Sequence, residues 1–311
     1  MNLLQEIESA VAIKNILFAT DFSAVSESAL PYVAALSLRY GGTVHIAHVV
    51  PNAALLRPGA PDPSIVGSIY EDVHSAAQEK MYHLGQRLKG YPHKTHVRHG
   101  EVLDVIADII REQEIDLLVL GTHGRTGLGK LILGSVAEEL FRGTMCPVLT
   151  VGPKVSAAIG TESRRDHELP PVQINFQHIL CATDFSPDGA RSASYAVSLA
   201  REFQSRFTLL HVIEDFGDYL HGHPGPIDTS LRKLEQLVPA QAGLRNRPDF
   251  VAEYGSPSEL ILQTAGECEA DLIILGARPV AERLAIATHF GGSVAHKIVV
   301  GANCPVLTIR S

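Results

Sequence analysis

The stretch NILFATDFSAVSESAL, which begins at Asn15, returns later in the chain as HILCATDFSPDGARSA from His178. Each stretch has a short apolar run, the polar turn A-T-D-F-S and then the start of a helix. Four further blocks repeat in the same order, and the last pair is GTMCPVLTV from Gly143 and GANCPVLTI from Gly301. Matching blocks in one order indicate a duplicated domain.

Within the first copy, short apolar runs alternate with longer amphipathic stretches. Strands are predicted at 15–20, 43–50, 94–100, 116–122 and 147–152, and helices near 24–40, 71–89, 101–114 and 132–143. The runs LLVL and LIIL are continuously apolar, as in strands covered on both faces. The sequence therefore predicts an α/β fold with two Rossmann-like domains, each a five-stranded parallel sheet flanked by helices.

The segment between the copies is polar and contains three prolines without sustained periodicity, which is typical of a linker. We predict one domain at 1–152, a linker at 153–175 and a second domain at 176–311.

Composition excludes several classes of protein. The formal charge of −8 argues against nucleic acid or anionic membranes as main partners. No apolar run approaches the ~18–20 residues of a membrane span, and the N-terminus lacks the basic region of a secretory signal. None of the four cysteines forms a C-x-x-C pair, which suits a reducing compartment. We expect a soluble, cytoplasmic protein.

In parallel α/β sheets, ligands bind beyond the carboxyl ends of the strands. The residues Thr20, Asp21, Phe22 and Ser23 come directly after the first predicted strand. Ser23 is a candidate N-cap, and Asp21 either caps the same helix or accepts hydrogen bonds from a ribose or an adenine amino group. The recurrence of Asp21 as Asp184 does not separate these interpretations, because both copies need the cap.

A glycine-rich segment, GTHGRTGLGKLILGS, runs from Gly121 to Ser135 after the fourth strand. Glycines let main-chain N–H groups approach a ligand, and such groups at a helix start form an anion site. The segment is neither a Walker A motif nor a dinucleotide fingerprint. A flexible surface loop is the alternative, but its position after a buried strand favours phosphate binding. The Ser135 hydroxyl would then reach a terminal phosphate or a metal bound to it.

These motifs together resemble the universal stress protein family. The resemblance rests on ATDFS, on AHV or LHV in the second strand, on G-x-x-G-x9-G-S and on CPVLTV, and it covers essentially both halves. It implies an adenine nucleotide alpha hydrolase-like fold and an ATP site with Mg²⁺ in the first copy. The residues placed at that site are Ala19, Thr20, Asp21, Val49, Leu120, Gly121, Gly124, Arg125, Gly134, Ser135 and Val136. Asp21 would lie near the adenosine, and the main chain of Val49 would read the adenine edge.

The second copy departs from this pattern. Pro279 replaces the second glycine, and fifteen residues instead of twelve separate the first and third glycines. Proline has no N–H to donate to a phosphate. The equivalents that remain are Asp184, Val212, Gly276, Gly292 and Ser293, so a weaker or altered adenosine-type site stays open. We predict one competent and one degenerate nucleotide site.

Several other residues have competing interpretations. His221 and His223 lie in a polar loop, and His96 and His99 are expected on opposite faces of the third strand. Cys146 and Cys304 precede the two last strands, where a structural role is favoured over redox chemistry. The segment 51–70 is interpreted as a loop over the adenine crevice or as a plain surface loop.

The resemblance further implies that the two last strands pair antiparallel, which makes the copies an internal pseudo-dimer. Whether two chains associate into a homodimer is left open, and protein partners are unknown.

We expect an ATP-binding stress-response protein that acts as a nucleotide sensor rather than an enzyme. One alternative is a slow ATPase or a nucleotide-hydrolysing enzyme of the same fold. Its base would come from His123, Glu138 or Glu139, none of which has a demanded spacing. The other alternative is a nucleotide-free adaptor.

Overall fold

The structure is a computed structural model of the 311-residue chain. It describes residues 11–51, 63–121, 135–152, 154–155, 174–214, 225–276 and 293–310. The chain forms two compact units. The first holds residues 12–146, and the second holds Pro147–Val155 together with the chain from Asn175 onward.

The first unit is a parallel sheet with helices. Its described strands are β1 (Asn15–Ala19), β2 (Thr43–Val50), β3 (His93–His99) and β4 (Leu117–Gly121). They lie in the order β3-β2-β1-β4, and each neighbouring pair is parallel. Its described helices are a 3-10 turn (Ser26–Ala29), α1 (Leu30–Tyr40), α2 (Pro63–Arg87), α3 (Val102–Glu112) and α4 (Ser135–Gly143).

The second unit has the same plan with two more described strands. Its described strands are β5 (Val148–Val151), β6 (His178–Ala182), β7 (Arg206–Ile213), β8 (Asp249–Tyr254), β9 (Leu272–Gly276) and β10 (Val306–Ile309). The order is β5-β10-β9-β6-β7-β8, with β5 antiparallel to β10 and the other pairs parallel. Its described helices are α5 (Pro187–Phe203), α6 (Gly225–Leu237), α7 (Pro257–Glu267) and α8 (Val294–Gly301).

The central strands form the core of each unit. Ile16, Leu17 and Phe18 of β1 are completely buried, as are Ile273 and Ile274 of β9. Strands whose successive side chains are all buried must be covered on both faces, which is what continuously apolar runs predict. The predicted parallel α/β fold is confirmed.

The segment that contains β5 is held by the second unit in several ways. Leu149 pairs with Leu307 across the antiparallel ladder. The Lys154 Nζ donates a hydrogen bond of 2.8 Å to the Gly301 carbonyl oxygen. A Cβ on Gly152 would lie 2.5 Å from the Val299 carbonyl oxygen, so only glycine allows this close approach. The expected antiparallel pairing of the two last strands is confirmed.

One predicted boundary is wrong. The sequence predicts a loop over 51–70 and a helix from about residue 71, but α2 begins at Pro63. Proline suits the first turn of a helix, where its missing N–H costs nothing, so a proline-containing stretch continues directly into the helix. Residues 52–62 and most of the predicted linker lie outside the described residues.

The cysteines before the last strands have the expected structural character. Cys146 and Cys304 are buried, and all four cysteines are free thiols. Burial raises the pKa of the Cys304 thiol to about 12, which keeps it protonated and unreactive.

Candidate functional site

The sheet of the first unit brings three strand ends to one edge. Ala19, the last residue of β1, is paired with Ala47 of β2 on one side and with Leu120 of β4 on the other. Because the strands are parallel, the turn after Ala19, the last two residues of β2 (Val49 and Val50) and the end of β4 at Gly121 lie along the same carboxyl edge. The predicted site residues on these three strands are therefore brought together.

A buried polar turn comes after β1. Thr20, which is 7% exposed, donates its main-chain N–H to Ala47. Its Oγ1 accepts the N–H of Phe22 at 2.9 Å and shares a hydrogen bond of 2.7 Å with the Ser26 hydroxyl. The predicted cap Ser23 accepts the N–H of Ser26 at 3.1 Å. The turn fixes the direction in which the chain leaves the strand.

Asp21 stands at the outer side of this turn. Its Oδ1 accepts the N–H of Ser23 at 2.9 Å, while the residue as a whole is exposed. Both interpretations of the sequence fit this arrangement, because a carboxylate accepts more than one hydrogen bond. Asp21 stabilises the turn and still presents its charge at the carboxyl edge.

Sequence reasoning missed an aromatic and cationic cluster beside Asp21. Phe22 has a left-handed main chain with φ of 61°, which places its ring 4.3 Å from the ring of His48 on β2. The Nζ of Lys80, on α2, lies 5.8 Å from the centre of the Phe22 ring. The signal available in the sequence was the recurrence of this phenylalanine and of the histidine in AHV and LHV.

His48 is held as a neutral ring. Its Nδ1 lies 2.8 Å from the Thr20 carbonyl oxygen, so this nitrogen must carry a proton and donate it. Burial lowers the pKa of His48, and the nearby Lys80 acts in the same direction, whereas the Thr20 carbonyl and Asp21 oppose it. A neutral, donating His48 therefore ties the end of β2 to the turn after β1.

Gly121 has a packing reason that does not involve any ligand. A Cβ at this position would lie 2.5 Å from the Val25 carbonyl oxygen and 2.6 Å from the Ser26 Cα. Gly276 of the second unit is in the same situation, with the Asp188 carbonyl carbon 2.8 Å away. Both glycines let the fourth strand of their repeat pass close to the start of the first helix.

The glycine-rich segment itself lies outside the described residues. This applies to Gly124, Arg125 and Gly134, and also to His123. Ser135 and Val136 are described as the first residues of α4, without their side chains. Further along this helix, Glu138 is half-buried and Glu139 is exposed.

In the second unit, the turn after β6 has nearly the same hydrogen bonds and ring contacts as the turn after β1. Thr183 Oγ1 accepts the N–H of Phe185 at 3.1 Å, and the His211 Nδ1 donates to the Thr183 carbonyl oxygen at 2.8 Å. Phe185 has φ of 60°, its ring lies 4.2 Å from that of His211, and Lys233 Nζ lies 5.3 Å from its centre. The Asp184 carboxylate accepts the N–H of Ser186, as Asp21 accepts that of Ser23, and it also accepts the Ser186 hydroxyl.

Other predicted residues of the second site are partly described. Val212 is half-buried near the end of β7. Ser293 caps α8, where its hydroxyl oxygen accepts the N–H of His296 at 3.2 Å. Gly292 and Pro279 lie outside the described residues, as do His221 and His223. Ser293 therefore already has a structural role at the start of a helix.

No metal centre of the usual kind is visible in the described ranges. They contain no group of three or more histidine, cysteine, aspartate or glutamate side chains arranged to hold an ion. None of the described helices combines the length and the apolar character that a membrane span needs.

Comparison with known proteins identifies the family. The model of the universal stress protein family matches the chain twice, at residues 12–152 and 175–310. The chain belongs to the universal stress protein family. It carries two such domains, and the resemblance read from its motifs is confirmed.

Relatives match either one domain or the whole chain. A universal stress protein from Thermus aquaticus is 35% identical over 140 residues, which cover 43% of this chain and 99% of the relative. One from Mycolicibacterium smegmatis is 25% identical over 309 residues, covering 95% of this chain and 96% of the relative. The crystal structure of a universal stress protein from Archaeoglobus fulgidus has a TM-score of 0.63 at 20% identity and covers 95% of this chain and 98% of its own. The last comparison supports the fold.

Proposed function

We propose that this universal stress protein binds ATP with Mg²⁺ at its first repeat and acts as a cytoplasmic nucleotide sensor in a stress response. The observation that carries the proposal is where the phosphate-binding motif begins. Gly121 is both the first glycine of G-x-x-G-x9-G-S and the last residue of β4, at the carboxyl edge that also carries Asp21 and Val49.

The donors and acceptors at this edge fit an adenine nucleotide. The exposed Asp21 carboxylate is suited to ribose hydroxyls or the adenine amino group, and the main chain at the end of β2 offers groups for the adenine edge. The motif then supplies main-chain N–H groups, and Ser135 begins a helix whose positive end favours phosphates. Mg²⁺ would be held by the phosphates with help from the Ser135 hydroxyl and would neutralise their charge.

We propose binding, rather than turnover, as the main role. Hydrolysis requires a side chain that orients the attacking water. Two candidates for this role lie on α4, where Glu139 is exposed and Glu138 is half-buried. Neither of them, nor His123, which lies outside the described residues, has a spacing in the sequence that assigns it to such a water.

A sensor mechanism can be derived from linkage. A ligand that binds only the folded protein stabilises it by RT ln(1 + [L]/Kd), about 2.7 kcal/mol at a hundredfold excess over Kd. Ordering of the glycine-rich segment around the phosphates would then present or hide a surface for a protein partner. The ATP level would thereby set both the stability and the exposed surface of the first repeat.

The second repeat is proposed not to bind a triphosphate. Pro279 removes one N–H donor, and the spacing between the first and third glycines is longer. A single ATP per chain is therefore expected.

The test is calorimetry with MgATP on the full chain and on Gly124→Ala and Ser135→Ala, with Ser293→Ala as the matched control in the second repeat. We expect one ATP per chain, an affinity at least tenfold weaker in the first two variants and no change in the control. Unchanged affinity in both first-repeat variants would rule out the assignment. Mass spectrometry of nucleotide released from the purified protein gives its identity and stoichiometry, and an assay for released phosphate tests turnover.

A further inference from the structure

A pair of histidines joins α2 to the end of β3 in the first unit. The Nδ1 of His74, on α2, lies 2.8 Å from the Nε2 of His99, the last residue of β3. The two rings are 4.9 Å apart at 28°, and the ring of Tyr70 stacks on His99 at 4.4 Å. Helix and strand thus hold two imidazole nitrogens facing each other.

The contact between the two facing nitrogens is one hydrogen bond, in which one ring donates its N–H and the other accepts with a lone pair. A metal ion that displaces this proton gains both nitrogens as ligands when the rings turn both lone pairs towards it, to one side of the line that joins the nitrogens. Bonds of about 2.0 Å that meet at a right angle place the two nitrogens about 2.8 Å apart, whereas a tetrahedral angle requires about 3.3 Å. The observed separation of 2.8 Å is that of the N–H···N hydrogen bond, and it also equals the separation of adjacent positions of a tetragonal site, so a metal with this geometry can replace the proton without moving the nitrogens apart. Nitrogen ligands in that geometry are typical of Cu²⁺.

We propose that His74 Nδ1 and His99 Nε2 bind Cu²⁺, with water molecules in the remaining coordination positions. The site has two protein ligands, which agrees with the lack of a larger ligand cluster among the described residues. It does not depend on the proposed nucleotide function.

A neighbouring side chain can hold His74 in the ligand tautomer once its amide is turned over. The Gln78 amide nitrogen lies 2.9 Å from His74 Nε2, on the side of the ring away from His99. A half-turn of this amide presents its oxygen to an N–H at Nε2 and leaves the lone pair of Nδ1 for the metal. Metal-bound histidines usually have such a partner on the second nitrogen.

Access and local charge also favour this pair over a second one. His74 and Gln78 line an open groove of about 510 Å³ between α2 and β3, through which an ion can enter. His45 and His96 also face each other, with Nδ1 and Nε2 3.1 Å apart, but His45 is only 1% exposed. Lys94 lies near both rings of that second pair and repels a cation there.

The pair has no counterpart in the second repeat. Tyr254 stands in the repeated block where the first copy has His99. Lys80 lies over Phe22 as Lys233 lies over Phe185, so the two lysines are equivalent positions of the repeats. When the helices are aligned on these lysines, Ile227 occupies the position of His74. Neither tyrosine nor isoleucine offers an imidazole, so the site is specific to the first repeat.

The test titrates the full, tag-free chain with CuCl₂ at pH 7 without nucleotide, in a buffer that does not bind copper. His74→Ala and His99→Ala are each expected to remove one equivalent of bound copper or to weaken it at least tenfold. His45→Thr, which alters the other pair, is expected to keep that equivalent. Electron paramagnetic resonance of the wild-type complex should show a tetragonal spectrum with coupling to two imidazole nitrogens.

Circular dichroism checks that the variants fold, and His74→Gln replaces His74→Ala if the alanine variant does not. A copper affinity that is unchanged within twofold in both ligand variants would overturn the proposal. So would a wild-type spectrum that lacks imidazole nitrogen coupling for the copper ion that the two variants lose. ATP binding measured separately tells this failure apart from a failure of the nucleotide assignment.

Discussion

The two repeats share the turn after their first strand and differ in their glycine-rich motif. Phe22 and Phe185 have φ of 61° and 60°, and their rings lie 4.3 and 4.2 Å from His48 and His211 at the same angle of 37°. The motif, in contrast, is complete in the first repeat and interrupted by Pro279 in the second. The turn is thus part of how the fold is built in both repeats, and it does not by itself predict a nucleotide.

The glycines that end β4 and β9 belong to the part that the two repeats share. Both Gly121 and Gly276 are required by close packing against the start of the first helix of their repeat. The first glycine of G-x-x-G-x9-G-S is therefore explained by packing alone, whether or not a ligand is bound.

The largest effect is expected when these two glycines are replaced. Gly121→Ala and Gly276→Ala each place a Cβ within 3 Å of main-chain atoms. We expect each to lower the unfolding free energy by about 3 kcal/mol, measured by urea denaturation. Gly266→Ala is the control, since nothing lies within 4 Å of its Cβ, and it should be neutral or slightly stabilising. A tolerated Gly121→Ala beside a damaging Gly276→Ala would show that the two repeats pack differently.

The next largest effect is expected from acid, which lowers the unfolding free energy through His45. The second repeat has Thr208 at the equivalent position. Burial, with help from His96 and Lys94, lowers the pKa of His45 to about 4, below the 6.5 of the unfolded chain. The unfolded state then binds more protons below pH 6.5, so stability falls as the pH drops from 6.5 towards 4. His45 is expected to lower the unfolding free energy by roughly 2 kcal/mol at pH 5 relative to neutral pH.

Urea denaturation at several pH values checks this expectation. His45→Thr should reduce the slope of stability against pH between 6.5 and 4, and His83→Ala, which removes an exposed histidine, is the control for the loss of an imidazole. An equal slope in wild type and His45→Thr would contradict the assignment of this histidine.

Ligand affinity separates the two equivalent aspartates. Asp21→Asn keeps an oxygen for the Ser23 N–H but removes the charge, so ATP affinity is expected to fall about tenfold with little loss of stability. Asp184→Asn should leave ATP binding unchanged. Calorimetry measures both, and an equal loss in the two variants would mean that both repeats bind ATP.

The smallest expected effect concerns a helix cap in the second repeat. Ser293→Ala removes the acceptor for the His296 N–H and should lower the unfolding free energy by about 1 kcal/mol. Denaturation at neutral pH measures it, with Ser293→Asp as the variant that restores a cap. If both variants are equally unstable, the hydroxyl contributes through something other than capping.

The sequence predicted the strands well because each central run, such as Ile16 to Phe18, is apolar on both faces. It predicted that the turn after β1 and the ends of β2 and β4 lie at one edge, since parallel strands end there. It did not predict the Phe22 and His48 contact, because no local pattern shows that a left-handed residue places its ring on another strand. It also could not distinguish the packing role of Gly121 from a ligand role, because both require the same residue.

The attachment of β5 to the second unit bears on how the protein can be divided. A fragment that begins at Asn175 would lose Val148–Val151 and leave the main chain of Val306–Thr308 uncovered. Open strand edges recruit other chains, so such a fragment would tend to self-associate. Expression of the carboxyl-terminal half as a well-behaved monomer would therefore require the residues from Pro147 to Val155 to travel with it.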